Sequence, residues 1–162
     1  MGGTSADVSL LVDGRPTEVQ ERALAGFPLR MPSLDVNAVG AGGGSVAWID
    51  VDGLLKVGPH SAGATPGPAC YGLGGTEATV TDANVVLGRL HREALLDGTM
   101  PIDASLAERA VTALSDELGM NTYATAMGII QVTCAVMVKA VRAISVERGY
   151  DPSKFEIGRA HV

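Results

Sequence analysis

The chain has 162 residues, a net charge of -6 at pH 7 and 46% hydrophobic residues, enough for the core of one domain or of part of a larger one. Its acidic balance, with no cluster of Lys or Arg, excludes the electrostatic footprint of a nucleic-acid or anionic-membrane binder. Cys70 and Cys134 stand far apart with no metal-ligand spacing, which argues against a disulfide or a zinc site and for a reducing, cytoplasmic home.

The first residues, MGGTSADV, have neither the basic nor the apolar region of a secretory signal. Gly2-Gly3-Thr4-Ser5, with Asp7 close behind, stands directly before a strand pattern. Two glycines let main-chain amides approach an anion, a threonine hydroxyl can contact a phosphate oxygen, and a nearby carboxylate can hold Mg2+ through water. A plain lead-in to a hairpin fits the same residues. Val8, Leu10 and Val12 then alternate into Asp13-Gly14, a pair suited to positive φ, so a hairpin returning through Arg15 to Val19 is expected. Phe27-Pro28 and Met31-Pro32 forbid a long helix between Glu18 and Leu34 and favour an extended return.

Glycine concentrates between Asp35 and Leu90. Gly40-Ala41-Gly42-Gly43-Gly44-Ser45 precedes a strand and lacks a following Gly-Lys-Ser/Thr, so it is neither a Walker loop nor a dinucleotide fingerprint. It reads either as bare backbone held against a phosphate or as a bend where two backbones cross. Ser45 to Val51, Asp52-Gly53 and Leu54 to Val57 repeat the hairpin device. Pro59 to Thr76 is too rich in Gly and Pro for regular structure, yet carries Ala64, Ala69, Cys70, Tyr71 and Leu73, so an ordered functional loop is expected. His60 and Ser61 are adjacent polar residues there, which alone does not make a nucleophile and base. Cys70 reads as a small buried filler. Ala78 to Thr81 is expected as a short strand, with Asp82 the N-cap of a helical turn through Leu87 and only secondarily a metal ligand.

The second half is helical. Ser105-Leu106-Ala107-Glu108 has the capping-box pattern, with Leu106, Ala110, Val111, Leu114 and Leu118 on one face and Gly119 as the stop. Asn121 can cap the next helix, in which Met127, Ile130, Cys134, Met137, Val138, Val141 and Ile144 recur at helical spacing until Gly149 and Pro152. At about 26 residues, or roughly 39 Å, it is expected as a buried central helix packed on a sheet. Thr125, Gln131, Thr133 and Lys139 make it a poor membrane span. The fold class is α/β, with antiparallel hairpins and glycine loops over 1–90 and helices over about 103–149. Glu156 to Val162 reads EIGRAHV, which matches a translated sequencing adapter, so a non-native tail is expected and His161 carries no information.

Four stretches together carry a resemblance: MGGTSADVSL, GAGGGSVAWIDVDGLLKVGPHSAGATPGPACYGLGG, TVTDANVVLGRL and SVERGYDPSKF. They closely resemble the hydantoinase A/oxoprolinase family, which includes ATP-dependent hydantoinases, 5-oxoprolinases and acetone-carboxylase subunits, and the likeness runs from Met1 to Phe155. It implies part of an actin-like ATPase (ribonuclease H-like) fold that clamps ATP and Mg2+. In that family GGTS follows an Asp, as DxGGTS, and forms a phosphate-binding loop; Gly2, Gly3, Thr4, Ser5 and Asp7 match, and the preceding Asp has no counterpart. Two further nucleotide loops of the family, one far upstream and one directly after SVERGYDPSKF, have no counterpart either, so an internal fragment is expected. The resemblance further implies that ATP phosphorylates the oxygen of a small cyclic amide so that water can open the ring. On this reading Gly42, Gly43, Gly44 and Ser45 join Gly2–Ser5 at the nucleotide, Asp7 serves Mg2+ through water, and Asp7 and His60 are the catalytic candidates. A hydantoinase B-like partner subunit and an oligomer of the full-length protein are implied. An ATP-dependent acetone- or acetophenone-type carboxylase and a non-catalytic actin-like scaffold are the alternatives.

Overall fold

The computed structural model describes residues 1–24 and 26–158. Of the expected tail, residues 159–162, with His161, lie outside the described residues, and Glu156, Ile157 and Gly158 are exposed irregular chain. The chain divides into two compact units, Met1–Ala6 with Val39–Met137 and Asp7–Ala38 with Val138–Val162.

Short strands build the second unit: β1 (Ala6–Ser9), β2 (Leu11–Val12), β3 (Arg15–Pro16), β4 (Glu18–Val19), β5 (Arg22–Leu24), β6 (Phe27–Leu29), β7 (Ser33–Leu34) and β8 (Val36–Val39). They pair as β2 with β3, β5 with β6, β4 with β7 and β1 with β8. The turn between β2 and β3 is the expected one, with Asp13 at φ 51° and Gly14 at φ 73°. The hairpin is shorter than expected, and Glu18–Val19 pairs instead with Ser33–Leu34. Leu10 breaks the strand: its side chain is buried, and its carbonyl accepts from the Thr17 amide at 3.0 Å and hydroxyl at 3.3 Å. In the same unit Arg148 grips the largely buried Asp35 with both guanidinium nitrogens, at 2.7 and 3.0 Å.

In the first unit β9 (Ser45–Ile49) and β10 (Leu55–Ser61) form the second expected hairpin. Asp50 shapes its turn by accepting from the Asp52 and Leu54 amides, and Gly53 takes φ 78°. Pro59 to Ser61, expected in a loop, extends β10: between Val57↔Ala47 and Ser61↔Ser45 the register shifts, so the strand bulges and continues. The expected strand Ala78 to Thr81 is reduced to one bridge, Val46↔Thr79. Helix α1 (Val80–Val86) starts at once, because Thr79 is its N-cap and Asp82 the third helical residue of a capping box. That corrects the expectation of Asp82 as N-cap.

A small hairpin of β11 (Ala94–Leu95) and β12 (Met100–Pro101) precedes α2 (Ala104–Leu118). The cap of α2 is Asp103 rather than Ser105, since its carboxylate accepts both the Ser105 amide at 2.8 Å and its hydroxyl at 2.6 Å. Gly119 ends the helix in the left-handed region, as expected. Asn121 accepts from the Ala124 amide at 2.8 Å and starts α3 (Thr122–Ile144). The core of this unit joins Ala47 and Val57 to Val80, Ala83, Val111, Leu114, Ala126 and Ile129.

The expectation of a buried α3 does not hold. Its covered side in the first unit is Thr125, Ala126, Ile129 and Thr133, while Cys134 is exposed and Met127, Ile130 and Met137 are only half-buried. Only 28% of its apolar window is buried, and by length and composition the helix is apolar enough to cross a membrane. Small residues let α3 sit close to its neighbours and leave much of the larger apolar stripe outward.

Candidate functional site

The two glycine loops of the first unit meet. The Gly2 amide closes a tight turn on the Ser5 carbonyl at 2.8 Å. Against it lies the second loop, whose Gly43 amide donates to the Gly2 carbonyl at 3.0 Å and Gly44 amide to the Gly3 carbonyl at 2.6 Å. A Cβ on Gly42 would stand 2.5 Å from the Gly3 carbonyl carbon and the Thr4 nitrogen, so only a bare backbone fits. Of the two readings of this loop, the crossing of two backbones is present.

That crossing occupies the second loop's donors. Gly42 donates to the Ser45 hydroxyl at 2.8 Å, Ser45 donates its amide to the Gly42 carbonyl at 3.1 Å, and the Ser45 hydroxyl, fully buried, turns to the Gly40 carbonyl at 3.3 Å. The first loop is different. Among the described residues the amides of Gly3, Thr4 and Ser5 have no acceptor, and Gly3 and Thr4 are exposed. Main-chain donors left free at a rigid, exposed turn suit an anion.

Two residues outside the expected set brace this arrangement. Thr81, in the first turn of α1, donates both its amide (2.8 Å) and its hydroxyl (2.9 Å) to the Gly43 carbonyl. Ser61, at the end of β10, donates its hydroxyl to Thr4 Oγ1 at 3.3 Å. The chain pattern hides both contacts, because each joins segments dozens of residues apart.

Asp82 ties the long glycine–proline loop to α1. Its fully buried carboxylate accepts from the amides of Ala69 (3.1 Å), Cys70 (2.9 Å) and Thr79 (3.0 Å) and from the Thr79 hydroxyl (2.7 Å). The loop is ordered, as expected, and the carboxylate is engaged inside the fold. Cys70 is fully buried, and desolvation, helped by the Asp82 charge, raises its thiol above the ordinary range. Iodoacetamide is therefore expected to modify exposed Cys134 about 100-fold faster than Cys70 in the folded protein. Peptide mapping reads the ratio, and equal rates under native conditions would contradict this burial.

Asp7 is an exposed residue of β1 whose side chain has no hydrogen-bond partner among the described residues. His60 is exposed on the bulged part of β10 and likewise lacks a partner, so no acid or base is set against it. No group of three or more His, Cys, Asp or Glu side chains able to hold a metal occurs among the described residues.

Residues 1–158 match the profile of the family described as Hydantoinase/oxoprolinase, a match that includes the first three residues of the expected tail. The chain is 44% identical to the caprolactamase subunit alpha of Pseudomonas jessenii, over 97% of this chain and 23% of the subunit. It is 41% identical to the 5-oxoprolinase of Saccharomyces cerevisiae, over 97% of this chain and 13% of that protein. The crystal structure of the ATP-dependent P. jessenii caprolactamase superposes with a TM-score of 0.85, covering 94% of this chain and 22% of that one. The nucleotide-free structure of an acetone carboxylase, 31% identical, superposes with a TM-score of 0.86 over 96% of this chain and 22% of that one. The chain thus spans less than a quarter of the length of these relatives, and its mixed α/β arrangement with antiparallel hairpins is theirs. Four motif stretches spread along the sequence, a profile match over nearly all of it and two close superpositions agree: the chain belongs to the hydantoinase/oxoprolinase family.

Proposed function

We propose that this chain is the phosphate-holding segment of a longer ATP-dependent enzyme that opens a small cyclic amide. The observation that carries the reading is the Gly3–Ser5 turn, whose amides have no acceptor among the described residues while Gly42–Ser45 packs against it and holds the Gly2 and Gly3 carbonyls. Phosphoryl transfer depends chiefly on positioned donors around the phosphate oxygens, and a turn that cannot rearrange supplies them at little reorganisation cost. In this reading Gly3, Thr4 and Ser5 contact phosphate, and Gly42, Gly43, Gly44 and Ser45 position them. The enclosing fold is actin-like, and the ATP is bound with Mg2+.

The chemistry balances without a further reagent. The amide oxygen attacks the γ-phosphorus and ADP leaves; water then adds to the activated carbon, the C–N bond breaks to give an amine and an acyl phosphate, and a second water releases phosphate and the carboxylate. An amide resists water until its oxygen becomes a leaving group, which accounts for the use of ATP. The name of the caprolactamase relative and its ATP dependence favour this substrate class, and a hydantoinase B-like subunit would complete the active enzyme. The acetone carboxylase superposition supports a second reading, in which ATP activates a substrate for carboxylation.

A complete enzyme carrying this segment, solved with ATP, is expected to place a phosphate oxygen within hydrogen-bond distance of the Gly3 or Thr4 amide. Nucleotide bound away from that turn would refute the site. Phosphate release that depends on a lactam or 5-oxoproline favours hydrolysis, whereas release that requires a ketone with bicarbonate favours the second reading.

A further inference from the structure

The hydroxyl of Thr4 is held in one direction by Ser61. The Gly63 amide donates to Ser61 Oγ at 3.1 Å, and Ser61 Oγ in turn donates to Thr4 Oγ1 at 3.3 Å. With that lone pair taken, Thr4 keeps one proton, and among the described residues no acceptor receives it. The chain of donors therefore runs from the Gly63 amide through two hydroxyls and ends on exposed Thr4 with a proton that has no acceptor among the described residues.

Ser61 is itself fixed from several sides. Its backbone pairs with Ser45, the residue directly after the glycine triplet, beyond a bulge in which four steps along β10 oppose two along β9. The next amide, that of Ala62, donates to the Gly44 carbonyl at 2.8 Å. Gly44 leaves the slot that the Ser61 side chain crosses, since a Cβ there would stand 3.1 Å from Ser61 Oγ and 3.0 Å from the Gly3 carbonyl oxygen.

We infer that Ser61 is a positioning residue that polarises and aims the Thr4 hydroxyl as a donor to a phosphate oxygen of the bound nucleotide. The inference rests on the proposed nucleotide site and adds to it a residue that does not touch the ligand. A hydroxyl that already accepts a hydrogen bond is a better donor, and one whose rotation is fixed loses less entropy when it binds.

The test is a double-mutant cycle on Mg·ATP affinity, measured by calorimetry in a complete enzyme carrying this segment. Thr4→Val is expected to weaken binding about tenfold, as loss of a hydrogen bond to a charged group does. Ser61→Ala is expected to weaken it about fivefold in the parent and not at all in the Thr4→Val background, because its only route to the ligand is then gone. Ser61→Thr, which keeps the hydroxyl, should stay within about twofold of the parent. Ser61→Cys, a weaker donor of similar volume, replaces Ser61→Ala if that variant does not fold. Additive losses, or failure of Ser61→Thr to retain affinity, would show Ser61 to be merely structural. Loss on Thr4→Val with none on Ser61→Ala would overturn the positioning role and leave the nucleotide site standing. Unchanged affinity in Thr4→Val would overturn both.

Discussion

Gly42→Ala is expected to abolish ATP-dependent turnover in a complete enzyme carrying this segment, with a loss of about 100-fold or more, while the protein still folds. The added Cβ meets backbone on the other side of the crossing: the Gly3 carbonyl carbon and Thr4 nitrogen at 2.5 Å and the Gly3 oxygen at 2.6 Å. None of these atoms can swing aside as a side chain does, so the Gly2–Ser5 turn must shift by roughly 1 Å, the scale of misplacement that costs a site two orders of magnitude. Gly43 offers a graded comparison, since its Cβ would meet only the Thr81 hydroxyl, at 2.9 Å, a group that can rotate. Gly43→Ala should therefore retain far more activity, whereas the bulkier Gly43→Val should approach the Gly42 variant. Steady-state kinetics and nucleotide affinity read the order directly. Wild-type behaviour of Gly42→Ala would mean that the crossing does not support the site.

The same crossing shows what a sequence can and cannot disclose. Local devices were legible: Asp13-Gly14 makes its turn, Gly119 ends α2 with positive φ, and Asn121 caps α3, because each is settled within four residues. Caps went astray only by position. Asp103 outcompetes Ser105 for α2, and Thr79, not Asp82, opens α1, although Thr-x-x-Asp is itself a legible capping box. Non-local pairings are written in no local pattern. Nothing in Val8 or Leu10 tells that β1 lies beside β8, and nothing in the glycine triplet names Gly2 and Gly3 as what it crosses. The stripe on α3 was right at buried Ile144 and wrong nearer the helix start, because periodicity identifies an apolar face whereas the covered side there is Thr125, Ala126, Ile129 and Thr133. Of the candidate site, Gly2–Ser5 could be found from residue type, and Ser61 and Thr81 could not, since their value lies in partners about 57 and 38 positions away.

Asp82→Asn is expected to destabilise the protein by about 3 kcal/mol, the upper end of what an orphaned buried donor costs. All the groups around the carboxylate are donors: one oxygen takes the Cys70 amide, and the other takes the Ala69 and Thr79 amides and the Thr79 hydroxyl. An asparagine has one acceptor oxygen and an NH2, so either amide orientation sets donor against donor and orphans at least one buried amide. Water cannot repair this, because Asp82, Thr79 and Cys70 are fully buried. With a total stability of roughly 5–15 kcal/mol for a domain, such a loss removes much of the folded margin. Thr79→Ala, which deletes the cap hydroxyl and leaves the carboxylate its three amides, should cost only about 1–2 kcal/mol. Urea unfolding gives the ranking, and hydrogen exchange at the Ala69 and Cys70 amides gives the mechanism: exchange there should accelerate in Asp82→Asn before global unfolding, since those amides lose the partner that anchors the loop to α1. An Asp82→Asn midpoint equal to that of the parent would show that the buried carboxylate is not what holds this loop in place.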